Sequence, residues 1–179
     1  MTPTGEPPTD DLAGVAAAFA RLTEATATMS DADARGPSRL PGWTRGHVLT
    51  HLARNADGQR RMVEGACRDE VLDQYPGGNE QRAADIEAGA GRPIDLLRAD
   101  VLESQAALDA AWSRVDGEVW DRLTNARAGA RPLRDGVLAR RREVSVHLVD
   151  LDVGVEPSGL PAGYLERDAP WVAQFRPDW

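Results

Sequence analysis

Two pairs of metal-capable side chains stand one helical turn apart in this sequence: His47 with His51 in GWTRGHVLTHLARNAD, and Glu143 with His147 in RRREVSVHLVDLD. Together they use every histidine in the chain. Residues four apart on a helix share a face, so two such pairs on facing helices can converge on one point. Two His and one Glu around a divalent ion, with one position open to water, thiol or substrate oxygen, is a recurrent catalytic arrangement in which the ion acts as a Lewis acid. Zinc, nickel and iron all suit such a set. The competing reading of each pair is surface polarity or a satisfied half-buried histidine. Both pairs lie in apolar stretches, HVLTHLA and VSVHLV, which favours a site. Asp57, Asp150 and Asp152 are candidates for further ligands, for acceptors of the His ring N–H groups, or for solvated and capping roles. No GxGxxG after a strand, no P-loop, no GxSxG and no CxxC is present.

Helical periodicity supplies the elements that must position these residues. Thr9 or Asp10 can cap a first helix with Leu12, Val15, Phe19 and Leu22 on one face, fading near Ser30. ARGPSRLPGW reads as a loop. Thr44 reads as the N-cap of a second helix carrying Val48, Leu49, Leu52, Met62 and Val63 and running to about Arg68. DQYPGGNEQ is a second loop, followed by a short helical stretch, RAADIEAGA, stopped by Gly89 and Gly91. Pro93 opens a third long helix with Leu96, Leu97, Val101, Leu108, Ala111 and Trp112, ending before Gly117. Residues 117–131 are mixed, and VWDRLTN suits a short strand or an irregular crossing. A last helix begins near Pro132, carries Leu133, Val137, Leu138, Val144, Val146, His147 and Val149, and ends by Gly154. Four long helices predict a four-helix bundle. The expected organisation is a disordered lead-in over residues 1–9, the bundle over 10–155, and, over 156–179, a tail or the start of a truncated second domain, rich in Pro, Gly and Trp with little period.

Bulk properties narrow the function. A formal net charge of −8 and a pI near 4.9 argue against a nucleic-acid binder and against an anionic membrane surface as partner. The absence of Lys beside abundant Arg reads as codon bias. The single cysteine, Cys67, excludes an intrachain disulfide and reads as a structural thiol in a reducing setting. The N-terminal MTPTGEPPTDD has no apolar stretch of a signal peptide, and no run approaches the length of a membrane helix. A soluble, cytoplasmic protein is expected.

Three motifs, LPGWTRGHVLTHLARNADG, YPGGNEQRAADIEAGAGRP and RRREVSVHLVDLDVG, resemble in order and spacing the mycothiol-dependent maleylpyruvate isomerase family, the actinobacterial branch of the DinB-like metal-binding bundles, over roughly residues 10–155. The resemblance implies an all-α, up-down-down-up four-helix bundle. It implies a divalent metal, most often zinc, on His51, Glu143 and His147. His47 then becomes a neighbour with a hydrogen-bonding or proton-handling role in catalysis. Arg82 falls where its planar fork suits a substrate carboxylate, and it is also a candidate to hold the thiol cosubstrate, against the alternative of a surface salt bridge to Asp85 or Glu87. The implied chemistry is that of mycothiol, deprotonated at the metal, adding to a small electrophile. In the isomerase this turns the cis double bond of maleylpyruvate into the trans bond of fumarylpyruvate; in other members it ends as S-transfer. The chain departs from the isomerase type in two ways. It has too few residues after the bundle for the second, C-terminal domain of that type, and it reads VHLVDL where the family often has VHHVDL. A general thiol transferase, a non-catalytic metal- or thiol-binding module, and a plain helical interaction domain therefore stay open beside the isomerase, as does a homodimer.

Overall fold

The computed structural model describes residues 5–160 and 164–176, and among these seven α-helices, two short 3-10 helices and one hairpin occur. Residues 1–4 of the expected lead-in and 161–163 and 177–179 of the expected tail lie outside the described residues. The helices are α1 (Thr9–Thr26), α2 (Asp31–Arg35), α3 (Arg45–Cys67), α4 (Gly78–Ala90), α5 (Ile94–Trp112), α6 (Leu133–Asp150) and α7 (Tyr164–Phe175). Strands β1 (Leu123–Ala126) and β2 (Gly129–Pro132) pair antiparallel, with Thr124 opposite Arg131.

Side-chain caps start two of the helices, α2 and α3. Thr44 accepts from His47 N while the His47 side chain accepts from Thr44 N, so α3 opens on a capping box. Ser30 and Asp33 close a second box over α2, a helix absent from the sequence reading, which placed Ala34 and Arg35 in a loop. At α1 the cap position falls on Pro8, with no side-chain cap bond, and Asp10 and Asp11 sit in the first turn. There they favour the positive end of the helix dipole. α4 begins at Gly78, four residues before the expected RAADIEAGA stretch, after Gly77 and Gly78 take left-handed φ values of 83° and 69° that turn the chain into the helix.

Two apolar clusters fix the helix directions. One joins Leu22 of α1, Val48, Leu49 and Leu52 of α3, Ile94, Leu97 and Val101 of α5, and Val144 and Leu148 of α6. The other joins Val15, then Ala56, Val63 and Ala66, then Leu108, Ala111 and Trp112, then Leu133 and Val137. The beginnings of α3 and α5 thus share a layer with the ends of α1 and α6, which is the up-down-down-up order. No helix among the described residues is long and apolar enough to cross a membrane.

Polar contacts set the register of α3 against α6. Arg39 N donates to Asp150 O at 2.8 Å, and Arg45 donates through Nε to Leu151 O at 2.6 Å and through Nη2 to Asp152 O at 2.9 Å. These carbonyls end α6 and lack partners within the helix. The start of α3 is thereby tied to the end of α6. Between the two apolar layers the fully buried Arg140 crosses from α6 to Leu52 O and Asn55 Oδ1 on α3, both at 2.9 Å, and to Gln105 Oε1 on α5 at 3.0 Å.

The segment after Pro157 departs from the aperiodic tail expected of it. α7 packs on α6 through Tyr164 and Val172 against Val149. Its inward positions include the fully buried Asp168, which binds Arg141 Nη2 at 2.6 Å and Arg142 Nε at 2.9 Å. A carboxylate on the inner face, and Pro170 within the helix, break the apolar period by which a helix is read from sequence.

Packing of α4 on α3 depends on Gly46, where a Cβ would lie 2.1 Å from the carbonyl oxygen of Ala90. A Cβ on Gly91 meets nothing within 4 Å. Gly46→Ala is expected to cost about 1–3 kcal/mol of stability by overpacking and Gly91→Ala almost nothing, as read from urea unfolding midpoints.

Candidate metal centre

His51 sits in the first half of α3, and Glu143 and His147 sit one turn apart in the second half of α6. Because those halves share a layer, the three side chains meet. His51 Nε2 lies 2.9 Å and His147 Nε2 3.4 Å from Glu143 Oε2. One ligand-capable atom from each residue falls within 4.8 Å of the others. The two imidazoles stand edge to face with centroids 4.7 Å apart. No other group of three such residues close enough to hold a metal occurs among the described residues.

The surroundings orient each ring. His147 Nδ1 donates to Asp150 Oδ2 at 2.9 Å, leaving Nε2 to face Glu143. Asp150 is buried and also accepts from Arg176, the residue that follows α7. A carboxylate behind a histidine in this way fixes the tautomer in which the far nitrogen presents a lone pair to a metal. His51 Nδ1 lies 3.0 Å from Arg82 Nη2, which can only donate, so the ring proton sits on Nε2 toward Glu143. For His51 to ligate through Nε2, that proton must move to Nδ1 and Arg82 must yield the position.

Electrostatics separate the two histidines. Burial pushes His51 down to about 4, with the Glu143 hydrogen bond only partly offsetting it. Burial alone would lower His147 as well, but hydrogen bonds to Asp150 and Glu143 outweigh it and raise the ring to about 9. Burial would raise Glu143; the two histidines reverse this and hold its carboxyl well below the usual range. Near neutral pH the trio is thus neutral His51, carboxylate Glu143 and protonated His147. A cation such as zinc fits this site, because it can take the place of the His147 proton beside a carboxylate that already balances charge.

The trio lies in a cavity of about 360 Å³ lined also by Trp43, Asn55, Gln59, Gln74, Tyr75, Arg82, Arg127, Arg131, Arg142 and Trp171. Arg82 reaches it from α4 and lies over the Tyr75 ring, 5.6 Å from its centroid. No ion pair of Arg82 with Asp85 or Glu87 occurs; Asp85 accepts from Gln81 and Glu87 faces His47. His47 itself does not line the cavity. Its Nδ1 serves the α3 cap, 2.7 Å from Thr44 Oγ1, and its Nε2 lies 3.1 Å from Glu87. Trp43 separates it from the trio, stacking on His47 and meeting His51 edge-on. Of the three aspartates considered from sequence, Asp150 backs His147, Asp57 pairs with Arg54 at 3.1 Å, and Asp152 pairs with Arg39 at 3.3 Å. Arg127 and Arg131 come from the hairpin and Trp171 from α7. None had a sequence signal, since their segments show no period and their role depends on where the hairpin and α7 dock.

A family model described as the mycothiol maleylpyruvate isomerase N-terminal domain matches residues 15–152. Crystal structures of the mycothiol-dependent maleylpyruvate isomerase and of a histidine-to-alanine mutant of it are each 26% identical to the chain, with TM-scores of 0.87 and 0.86. Each alignment covers 94% of this chain and 72% of the other. No curated protein matches by sequence.

Three expectations follow from this geometry. If zinc displaces the His147 proton, its affinity should rise with pH from 7 toward 9 and flatten above that; calorimetric titration across this range tests it, and a flat profile would mean that His147 gives up no proton on binding. Without metal the sign reverses: the His147 contribution to stability is full below the unfolded value of 6.5 and fades as pH rises through about 9. His47→Ala should cost about 1 kcal/mol through loss of the cap and leave zinc stoichiometry unchanged, whereas His51→Ala should abolish stoichiometric zinc.

Proposed function

Since the chain belongs to the mycothiol maleylpyruvate isomerase N-terminal domain family, we propose that this isomerase works in the cavity at the α3–α6 seam, with a divalent metal, zinc foremost, on His51, Glu143 and His147. Mycothiol is its thiol and a small electrophile of the maleylpyruvate kind its substrate. The observation that carries this reading is the convergence of three ligand-capable atoms within 4.8 Å in a cavity lined by arginines. Bound there, the ion would supply Lewis acidity and hold a thiol as thiolate near neutral pH.

The remaining work falls to the chain's own groups. Asp150 holds the His147 ring in place through Nδ1. Arg82, with a buried Nε that finds no acceptor, offers its fork to a substrate carboxylate next to the reacting atoms. Trp43, Trp171 and Tyr75 wall the cavity and restrict water around the nucleophile. The thiolate adds to the cis double bond, the resulting carbon–carbon single bond rotates, and elimination restores the thiol and leaves the trans alkene. No atom is gained or lost overall.

Zinc-loaded protein should convert maleylpyruvate to fumarylpyruvate only with mycothiol present, followed by the change in ultraviolet absorbance and by chromatography. Glu143→Gln and chelated wild type should fall to the uncatalysed rate. Accumulation of a stable thiol conjugate in place of the trans isomer would make the protein a transferase. Full turnover without thiol would overturn the reading.

A further inference from the structure

Four arginines line the cavity, in a chain whose net charge is −8. They are not equivalent. Arg142 is engaged by Asp168, at 2.9 Å from Nε and 2.6 Å from Nη2. Arg82 sits on His51 and Tyr75. Arg127 is exposed. Arg131 is half-buried, its Nε is buried without an acceptor, and no ion pair to it occurs among the described residues. Burial pushes its pKa down, with Asp135 and Glu143 acting against that only from a distance.

The mount of Arg131 is firm. Its carbonyl accepts from Thr124 Oγ1 at 3.0 Å, across the β1–β2 pair. The hairpin is in turn fastened to the loop before α4 by Gln74 N donating to Asn125 O at 3.0 Å, and by Arg127 N donating to Gln74 Oε1 at 3.1 Å. A guanidinium held this way, with unspent donors at a cavity wall, is a pre-organised anion site. It comes from the hairpin, whereas Arg82 comes from α4, so the two approach the cavity from different elements.

We propose that Arg131 is a specificity-determining residue that binds a second carboxylate, so that Arg82 and Arg131 together select small dicarboxylates over monocarboxylates of similar size. This rests on the reading of the cavity as the site of turnover and assigns to Arg131 the second of the two carboxylates that a substrate of the maleylpyruvate kind carries.

The test is calorimetric titration of zinc-loaded wild type, Arg131→Gln and Arg131→Lys with maleate, a cis dicarboxylate, and with acrylate, its monocarboxylate counterpart. Circular dichroism checks the fold of each variant. Wild type should bind maleate at least tenfold more tightly than acrylate. Arg131→Gln should weaken maleate by about 10- to 100-fold, the range for one charged hydrogen-bonding group, and leave acrylate unchanged; Arg131→Lys should recover part of the loss. Undiminished maleate binding in Arg131→Gln, an equal loss for both ligands, or no maleate binding by wild type overturns the proposal. Turnover separates it from the functional reading. Wild type that binds maleate through Arg131 but does not isomerise maleylpyruvate sinks that reading alone. Isomerisation with an unchanged KM in Arg131→Gln sinks the present inference alone.

Discussion

A carboxylate held between two imidazoles at a helix seam is the constraint around which the rest of this molecule is arranged. Glu143 is half-buried at the cavity wall, where partial desolvation penalises its charge unless partners offset it. His51 and His147 supply those partners at 2.9 and 3.4 Å. Each imidazole then needs its own far nitrogen satisfied. Asp150 does this for His147 and Arg82 for His51. Asp150 is in turn held by Arg176. The chain of dependence thus runs from the seam outward to α4 on one side and to the residue after α7 on the other.

The same seam needs a fixed register, which hydrophobic packing alone specifies loosely. Arg39 and Arg45 provide it by occupying the end carbonyls of α6, and Arg140 provides it again one layer deeper. Arg39 does so through its backbone N–H, whereas Arg45 and Arg140 use the guanidinium, which can serve several acceptors in a plane. The cavity arginines carry the opposite logic. An acidic chain that concentrates cationic groups around one opening creates a local field that draws anions to it, while its outer surface repels them.

Much of the fold was legible in the sequence. Thr44 announced the start of α3, Pro93 the start of α5 and Pro132 the start of α6, and the apolar faces between them repeat at helical spacing. The exceptions have physical causes. α2 is too short for a period, and only the Ser30–Asp33 box betrays it. α4 begins at Gly78 and Asn79, poor helix formers that read as loop. α7 hides its inner face behind Asp168, whose burial makes sense only once Arg141 and Arg142 of α6 are beside it.

The sequence by itself determined that His47 with His51, and Glu143 with His147, each share a helical face, because the period of the α-helix makes that a local property. It also determined, through motif resemblance, that three of the four were the residues to watch. Only the tertiary structure decided that His51 faces Glu143 while His47, one turn away, is spent on the cap of its own helix and on Glu87. Only it decided that Arg131 of the hairpin and Trp171 of α7 reach the same cavity. Periodicity fixes an angle on one helix but carries no distance to another; that distance is set by contacts between residues about a hundred positions apart, such as Arg45 with Leu151.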